Sequence, residues 1–161
     1  MQISDRTLLQ VMDLMPVARL SLVTPCGKPD AMPIVFARVK NKIFSPIDEK
    51  PKKSSKLSRL SSIRSNPDAL VLLDHYSENW SNLWWIRLNC VARVVNDDNI
   101  LWEKAVNRLL EKYTQYQTVG LFKGDQPTML EFEWKTVRSW AYLGEKGFSN
   151  WLETTKDTSF P

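Results

Sequence analysis

Residues 49–95, EKPKKSSKLSRLSSIRSNPDALVLLDHYSENWSNLWWIRLNCVARVV, decide the fold. The first half of this stretch intersperses serines with basic residues: Lys50, Lys52, Lys53, Lys56, Arg59 and Arg64. The second half consists of two apolar runs separated by a loop rich in asparagine, serine and tryptophan. This pattern predicts a basic helix followed by two β-strands, with the helix packed beside the sheet.

The basic half has the pattern of a helix whose start can hold an anion. Pro51, Ser54 and Ser55 are typical of a helix N-terminus, and Pro67 ends the helix at Asn66. One face is apolar and can dock on a sheet, with Leu57, Leu60 and Ile63 at every third position. Free N–H groups and lysines at a helix start together favour a bound phosphate. A solvated basic surface is the alternative interpretation.

Composition indicates one domain, residues 1–161, in a reducing compartment. A chain of 161 residues is long enough to bury a core of its own. The net charge is +4, and most of the excess lies in residues 50–64, which favours a local site. Cys26 and Cys90 lack the spacing of a metal or redox motif, which fits the cytoplasm. The sequence predicts no metal site and no transmembrane segment.

The remaining segments predict short antiparallel strands with helices between them. We expect an N-terminal helix that is capped by Asp5 and ends before Pro16, and a third helix from Asp97 to about Tyr113. The predicted strands are residues 17–24, 30–39, 43–47, 69–76, 83–95, 128–134 and 137–143. Residues 145–161 are expected to form a polar, loosely held tail. This order predicts a mainly β domain with flanking helices (α+β), folded as a small barrel.

Two features of these strands suggest contacts outside the core. Pro33 cannot donate a ladder hydrogen bond, so it indicates a sheet edge, a bulge or backbone turned towards a ligand. The fifth strand alternates between an apolar face and a second face that is too polar for a core and too aromatic for open solvent. That second face consists of Trp85, Arg87, Asn89 and Arg93. It indicates a subunit interface or the wall of a ligand site.

Two motifs make the chain similar to a known family. The hairpin LSLVTPCGKPDAMPIVFARVKNKIFSPID resembles the start of pyridoxamine 5′-phosphate oxidase-like proteins. The string KP-K, a basic helix ending in NP, then LLDHY, NW, LWW-R and ARV resembles the deazaflavin (coenzyme F420)-dependent oxidoreductases of that superfamily. The similarity runs from about Leu14 to Tyr142. It implies a split β-barrel of the FMN-binding type, a homodimer with cofactor sites at its interface, and hydride transfer between FMN or F420 and a small organic substrate.

The resemblance also implies which residues bind the cofactor. Phosphate contacts are implied for Ser45, Lys50, Lys52, Lys53 and Ser54, ring-edge contacts for the backbone of Pro33, Ile34 and Val35, and further contacts for Trp85, Arg87 and Trp140. The segment before Asn66 is longer than in most split barrels, so an alignment from its other end gives Arg59 the role of Lys52. Cys90 stands where these proteins commonly have glycine.

No catalytic side chain is assigned, because a flavin or deazaflavin carries the hydride chemistry and the protein binds and orients it. His75, the only histidine, is interpreted as structural and Cys90 as part of the core. The tryptophan-rich loop 79–85 is either a substrate wall or dimer packing. Two other functions stay open: a non-catalytic flavin carrier or sensor, and a small barrel that binds nucleic acid through its basic helix.

Overall fold

Seven antiparallel strands form one sheet in a computed structural model, which describes residues 3–47, 55–122 and 127–156. The strands are β1 Ala18–Val23, β2 Pro29–Ile34, β3 Ala37–Val39, β4 Lys42–Pro46, β5 Asp68–His75, β6 Trp84–Val95 and β7 Met129–Ala141. The predicted strand positions are confirmed within a few residues, with two exceptions. The strand predicted over residues 30–39 is interrupted, and the last two predicted strands are one.

Four helices are present in the described ranges: α1 Asp5–Leu14, α2 Ser55–Ser65, α3 Trp102–Lys112 and α4 Glu145–Lys156. The side chain of Ser4 caps α1 by accepting a hydrogen bond from the N–H of Thr7, so the cap lies one residue before the predicted Asp5. On α2, Ile63 is buried as its predicted apolar face requires. None of these helices is both long and apolar enough to cross a lipid bilayer.

The sheet closes on itself through a connection of two residues. Its strand order is β2-β1-β5-β6-β7-β4-β3, so β2 and β3 are the two edges. Val35 and Phe36 join these edges directly, and we call these two residues the seam. Neither seam residue takes part in a strand ladder. The sheet is therefore a barrel that is split at the seam, and Pro33 lies on an edge strand.

The two strands predicted near the C-terminus are one long strand, β7, which contains a bulge at Lys135. Asn89 pairs with Thr136, but the next residue of β6 pairs with Trp134, so Lys135 has no partner on β6. The expected break between the two strands was wrong, because the polar residues at 135 and 136 continue the strand with one extra residue. The bulge also changes which side chains face outwards: odd-numbered residues of β7 before it, even-numbered residues after it.

Two apolar clusters hold the domain together. The first fills the barrel and includes Leu20, Val71, Ile86, Leu88 and Phe132. The second lies between the outside of the barrel and α3 and includes Phe44, Leu109 and Met129. Alternate residues of β6 from Trp84 to Ala92 are buried, which confirms the predicted two-faced strand.

The segment after β7 is a packed helix, so the expected loosely held tail was wrong for residues 145–156. Phe148, Trp151 and Leu152 of α4 are buried in the barrel cluster. Gly147 permits close packing, because a Cβ at this position would lie 3.2 Å from the Cβ of Ala141. The prediction failed because these apolar residues at helical spacing are outnumbered by polar neighbours. Residues 157–161 lie outside the described ranges.

Candidate functional site

The outward surface of β5, β6 and the second half of β7 carries exposed and half-buried side chains. We call this surface the open face; it consists of Leu72, Asp74, Trp85, Arg87, Arg138 and Trp140. Strand pairing arranges it in two rows, Asp74–Trp85–Trp140 and Leu72–Arg87–Arg138. The structure therefore brings together Trp85, Arg87 and Trp140, three of the residues predicted to contact a cofactor.

Two like charges oppose each other at the centre of the open face. Arg87 and Arg138 are direct cross-strand partners, an arrangement that destabilises a strand pair. The guanidinium carbon of Arg87 lies 5.7 Å from the centroid of the Trp85 ring. The Arg87 Nε atom is buried and has no hydrogen-bond partner among the described residues. An anion or a carboxylate from another molecule would satisfy this atom and reduce the repulsion.

Exposed aromatic side chains extend the open face beyond Trp140. The exposed fractions are 75% for Tyr76, 63% for Trp80 and 58% for Tyr142. Trp80 lies in a 3-10 turn whose start is capped by the side chain of Asn79. Clustered apolar exposure of this kind marks contact with a ligand or another protein. Both interpretations of the loop 79–85 therefore remain open.

The second group of predicted residues lies at the seam. Pro33 is exposed, Ile34 is buried and Val35 packs half-buried against the α3 cluster. Because β2 pairs only with β1 among the described strands, part of its backbone points away from the sheet. The register of β3 on β4 directs the seam towards Ser45, which is 2% exposed. These four residues are thus neighbours, with the Ser45 side chain inside the barrel wall.

The central part of the predicted phosphate site stays a prediction. Lys50, Lys52, Lys53 and Ser54 lie outside the described residues. Arg59, the alternative to Lys52, is 9% exposed on α2, which packs against β1 and β6. Both alignments of this segment therefore remain open.

The open face and the seam are far apart within one chain. Ser45 pairs with Leu130 near the start of β7, whereas Trp140 lies near its end, so about 30 Å of strand separates them. Arg87 and Pro33 share a row of the sheet but stand three strands apart, about 14 Å at the usual strand spacing. One chain alone therefore does not bring all the predicted residues onto one small ligand.

His75 and Cys90 have structural surroundings. The His75 ring stacks on Trp84 with 6.1 Å between centroids and lies 6.2 Å from the ring of Trp151. Burial lowers the pKa of His75, and the neighbouring Asp74 opposes this effect. Burial raises the pKa of the Cys90 thiol to about 12, so it is not a nucleophile at neutral pH. Within the described ranges, no group of three or more His, Cys, Asp or Glu side chains could hold a metal ion.

The sequence predicted Tyr113 only as the approximate end of the third helix, and its polar role was missed. The Tyr113 hydroxyl accepts a hydrogen bond from the N–H of Phe36 at 3.0 Å. It also lies 2.9 Å from the carbonyl oxygen of Phe36 and 2.8 Å from that of Pro16, either of which can accept its single proton. Phe36 is 77 positions away in the sequence, so no local pattern could reveal this contact.

Comparison with solved structures identifies the fold. The haem storage protein HutZ from Vibrio cholerae superposes with a TM-score of 0.66 at 12% identity, over 87% of this chain and 95% of HutZ. A proposed pyridoxamine 5′-phosphate oxidase from Listeria innocua gives a TM-score of 0.58 at 17% identity, over 83% of this chain and 95% of that one. This chain has the pyridoxamine 5′-phosphate oxidase-like split-barrel fold.

A third split-barrel structure is that of a FAD-binding protein from Mesorhizobium loti. It superposes with a TM-score of 0.62 at 15% identity, over 85% of this chain and 94% of that one. No protein-family model matches the chain, and no curated protein matches its sequence. The split barrel implied by the sequence motifs is confirmed, and the similarity to the F420-dependent group stays a prediction.

Proposed function

We propose that this split-barrel protein is an oxidoreductase that uses FMN or F420 and works as a homodimer on a small organic substrate. The observation that carries the proposal is the pair Trp85–Trp140 beside the pair Arg87–Arg138 on the open face. Indole rings pack on flat ring systems, and guanidinium groups bind phosphate and carboxylate oxygens. The two pairs together suit a planar, anionic cofactor, and both FMN and F420 combine a flat ring with phosphate.

A bound flavin or deazaflavin would supply the hydride chemistry. The residues of this chain would bind the ring, orient it and exclude water. Trp85 and Trp140 would offer apolar surface to the ring, and Arg87 would neutralise negative charge with its buried Nε. The edge backbone at 33–35 would meet the rim of the ring, and the basic segment 50–54 would meet the phosphate.

A homodimer explains how groups so far apart could serve one cofactor. A twofold axis brings the same two surfaces of each subunit together, so the open face of one subunit can meet the seam of its partner. Each of two equivalent sites then receives one group of residues from each subunit. The exposed aromatic side chains of the open face provide the apolar area that such an interface needs.

Titration of FMN and F420 into the wild type and two arginine variants, followed by fluorescence, tests the proposal. Arg87→Ala removes a charge-assisted contact of about 1.5–3 kcal/mol, so affinity should fall roughly ten- to a hundredfold. Arg93→Ala is the matched control. Arg93 also faces outwards on β6, but it pairs with Glu133 at 3.4 Å. Its replacement should change affinity by less than about twofold.

Two outcomes would reject this function. Equal losses for Arg87→Ala and Arg93→Ala would mean that binding reflects general surface charge and no site on the open face. Tight binding of random single-stranded DNA that weakens steeply with salt, without any response to FMN or F420, would favour a nucleic-acid-binding barrel.

A non-catalytic carrier is the second candidate, because Asp74, the carboxylate of the open face, forms an ion pair with Arg19 at 3.4 Å, and the neighbouring His75 and Cys90 have structural surroundings. The His75 ring stacks on Trp84 and is tilted against Trp151, and the Cys90 thiol stays protonated. HutZ, a haem storage protein, shows that this fold also serves storage. A haemin titration, and repeated reduction and reoxidation of the bound cofactor by small-molecule acceptors, would separate the two candidates. The cytoplasmic location stays a prediction.

A further inference from the structure

The end of α3 bridges the part of the barrel wall that has no strand ladder. Tyr113 contacts the N–H and the carbonyl oxygen of Phe36 and the carbonyl oxygen of Pro16, all within 3.0 Å. These contacts link the seam to the segment between α1 and β1. Because Phe36 lies between the two edge strands, its backbone geometry sets the angle at which β2 leaves β3.

The residue before Tyr113 holds the same seam residue from the other side. The Lys112 ammonium donates a hydrogen bond to the carbonyl oxygen of Met12 at 2.9 Å. It also lies 3.8 Å from the centroid of the Phe36 ring, within the range of a cation–π contact. Phe36 is therefore held through its N–H, its carbonyl oxygen and its ring by two consecutive residues of one helix end.

The charged groups around Lys112 are already paired with one another. Asp13 of α1 binds Arg38 of β3 at 2.7 Å, and Glu111 pairs with Arg108 on α3 at 3.6 Å. These four side chains and Lys112 line a cleft of about 210 Å³. Within the described ranges, Lys112 forms no ion pair, so its ammonium is held by a carbonyl oxygen and two aromatic rings.

We infer that Lys112 and Tyr113 are positioning residues that fix the seam and, through it, the backbone of residues 33–35. This inference deepens the proposed function and rests on it, because residues 33–35 are the predicted contacts with the cofactor ring. If both residues were replaced, Phe36 would lose these contacts. The edge strand β2 would then no longer be fixed at the end that adjoins the seam.

The contact between the Lys112 ammonium and the Phe36 ring changes with pH. Burial lowers the pKa of Lys112 to about 7, with Asp13 raising it and Arg38 lowering it further. A protonated ammonium is attracted to an aromatic face, whereas a neutral amine is not. The lowered pKa shows that the cost of burying the charge exceeds this attraction, so protonation favours release of Lys112 from its site. The contact therefore weakens as the pH falls through about 7 and strengthens as the pH rises above it. The Tyr113 hydroxyl stays protonated, because burial raises its pKa.

Hydrogen exchange of the Phe36 amide in the cofactor-free protein directly tests the contacts that Lys112 and Tyr113 make with Phe36. After correction for intrinsic rates, Tyr113→Phe should exchange roughly two- to tenfold faster, as expected for a lost hydrogen bond. Thr118→Val, which removes an exposed hydroxyl shortly after α3, is the control and should leave the rate unchanged. As the pH rises from 6 to 8.5, the corrected exchange rate of the wild type should fall. Lys112→Met, which cannot be protonated, should show no change with pH, and Lys112→Arg, which stays charged, should exchange fast throughout.

The same variants loaded with FMN or F420 test the link to the cofactor. The wild-type affinity for the cofactor should be roughly two- to tenfold weaker at pH 6 than at pH 8.5, and both Lys112 variants should lose this dependence. Tyr113→Phe should also shift the absorption band of the bound cofactor. A wild-type pH profile in Lys112→Met, or unchanged exchange in Tyr113→Phe, would overturn the inference. If Tyr113→Phe does not fold, the two Lys112 variants decide. A wild type that binds neither cofactor rejects the proposed function, while the exchange data still decide the role of the two residues.

Discussion

The outward surfaces of β6 and β7 differ on the two sides of the Lys135 bulge. Before the bulge, the outward surface lies towards α3, and we call it the α3 side. There, Glu131 is 1% exposed and accepts a hydrogen bond from the Lys42 ammonium at 2.7 Å. On the open face, Arg87 and Arg138 oppose each other without an ion pair in the described chain. The same two strands thus carry one surface whose charges are satisfied internally and one whose charges are not.

This difference indicates that the α3 side serves the fold of the chain itself, and it supports the proposal that the open face binds another molecule. The α3 side combines a buried ion pair with the apolar cluster around Phe44 and Met129, so its residues contribute to folding. The open face combines unpaired cations with Trp85 and Trp140, so its residues contribute little to the stability of one chain. Substitutions on the two surfaces should therefore have separable effects on stability and on binding.

The largest effect is expected on the α3 side. Glu131→Gln leaves the Lys42 ammonium, which is 22% exposed, without its carboxylate partner. The free energy of unfolding should fall by about 2–4 kcal/mol, near the lower end for a broken buried pair. Glu111→Gln is the control, because Glu111 pairs with Arg108 on the exposed surface of α3 and should cost less than about 0.5 kcal/mol. Urea unfolding measures both; similar losses would show that the buried pair has no special role.

A smaller effect of opposite sign is expected on the open face. Arg138→Glu places a carboxylate directly opposite Arg87 and replaces repulsion by attraction. The free energy of unfolding should rise by up to about 1 kcal/mol, the range for cross-strand charge pairs. Cofactor affinity should fall in the same variant, since the new carboxylate competes for Arg87. If Arg138→Glu destabilises the chain, the open face already satisfies its charges and the contrast with the α3 side does not hold.

The smallest effect concerns His75, at the end of β5 beside the open face. Its pKa is lowered in the folded chain, so the unfolded chain binds a proton at higher pH than the folded chain. The stability that His75 contributes is present above its unfolded pKa, about 6.5, and is lost as the pH falls through the lower folded value. Urea unfolding between pH 7 and 5 should show a steeper loss for the wild type than for His75→Gln. Parallel curves for the two proteins would exclude this contribution.

The strands were predictable because their signal is local. In β6 every second residue from Trp84 is apolar, and the alternation alone separates the core face from the open face. The bulge was not predictable, because Lys135 and Thr136 are polar residues that suit a turn as well as a strand. The helix α4 was missed although the sequence has apolar residues at helical spacing, namely Phe148, Trp151 and Leu152. The many polar residues of the same segment indicated a tail instead.

The candidate site was predictable only in part. Trp85 and Arg87 could be predicted because they are aromatic and polar residues on one face of a strand. Trp140 was predicted from the family resemblance. Their direct pairing depends on the register between two strands, which a bulge shifts by one residue. The roles of Lys112 and Tyr113 depend on contacts with residues 77 to 100 positions away, for which the sequence has no local pattern.

The position of β7 between β6 and β4 governs how the chain can fold during its synthesis. The β3–β4 hairpin is complete at Pro46, but β7, its neighbour in the sheet formed by the described strands, begins at Met129. On the ribosome, the edge of β4 therefore remains unpaired until more than half of the chain has followed it. Unpaired strand edges aggregate, and contacts distant in sequence form slowly. The barrel can close only once β7 has emerged, so a chain that stops before β7 keeps the edge of β4 unpaired.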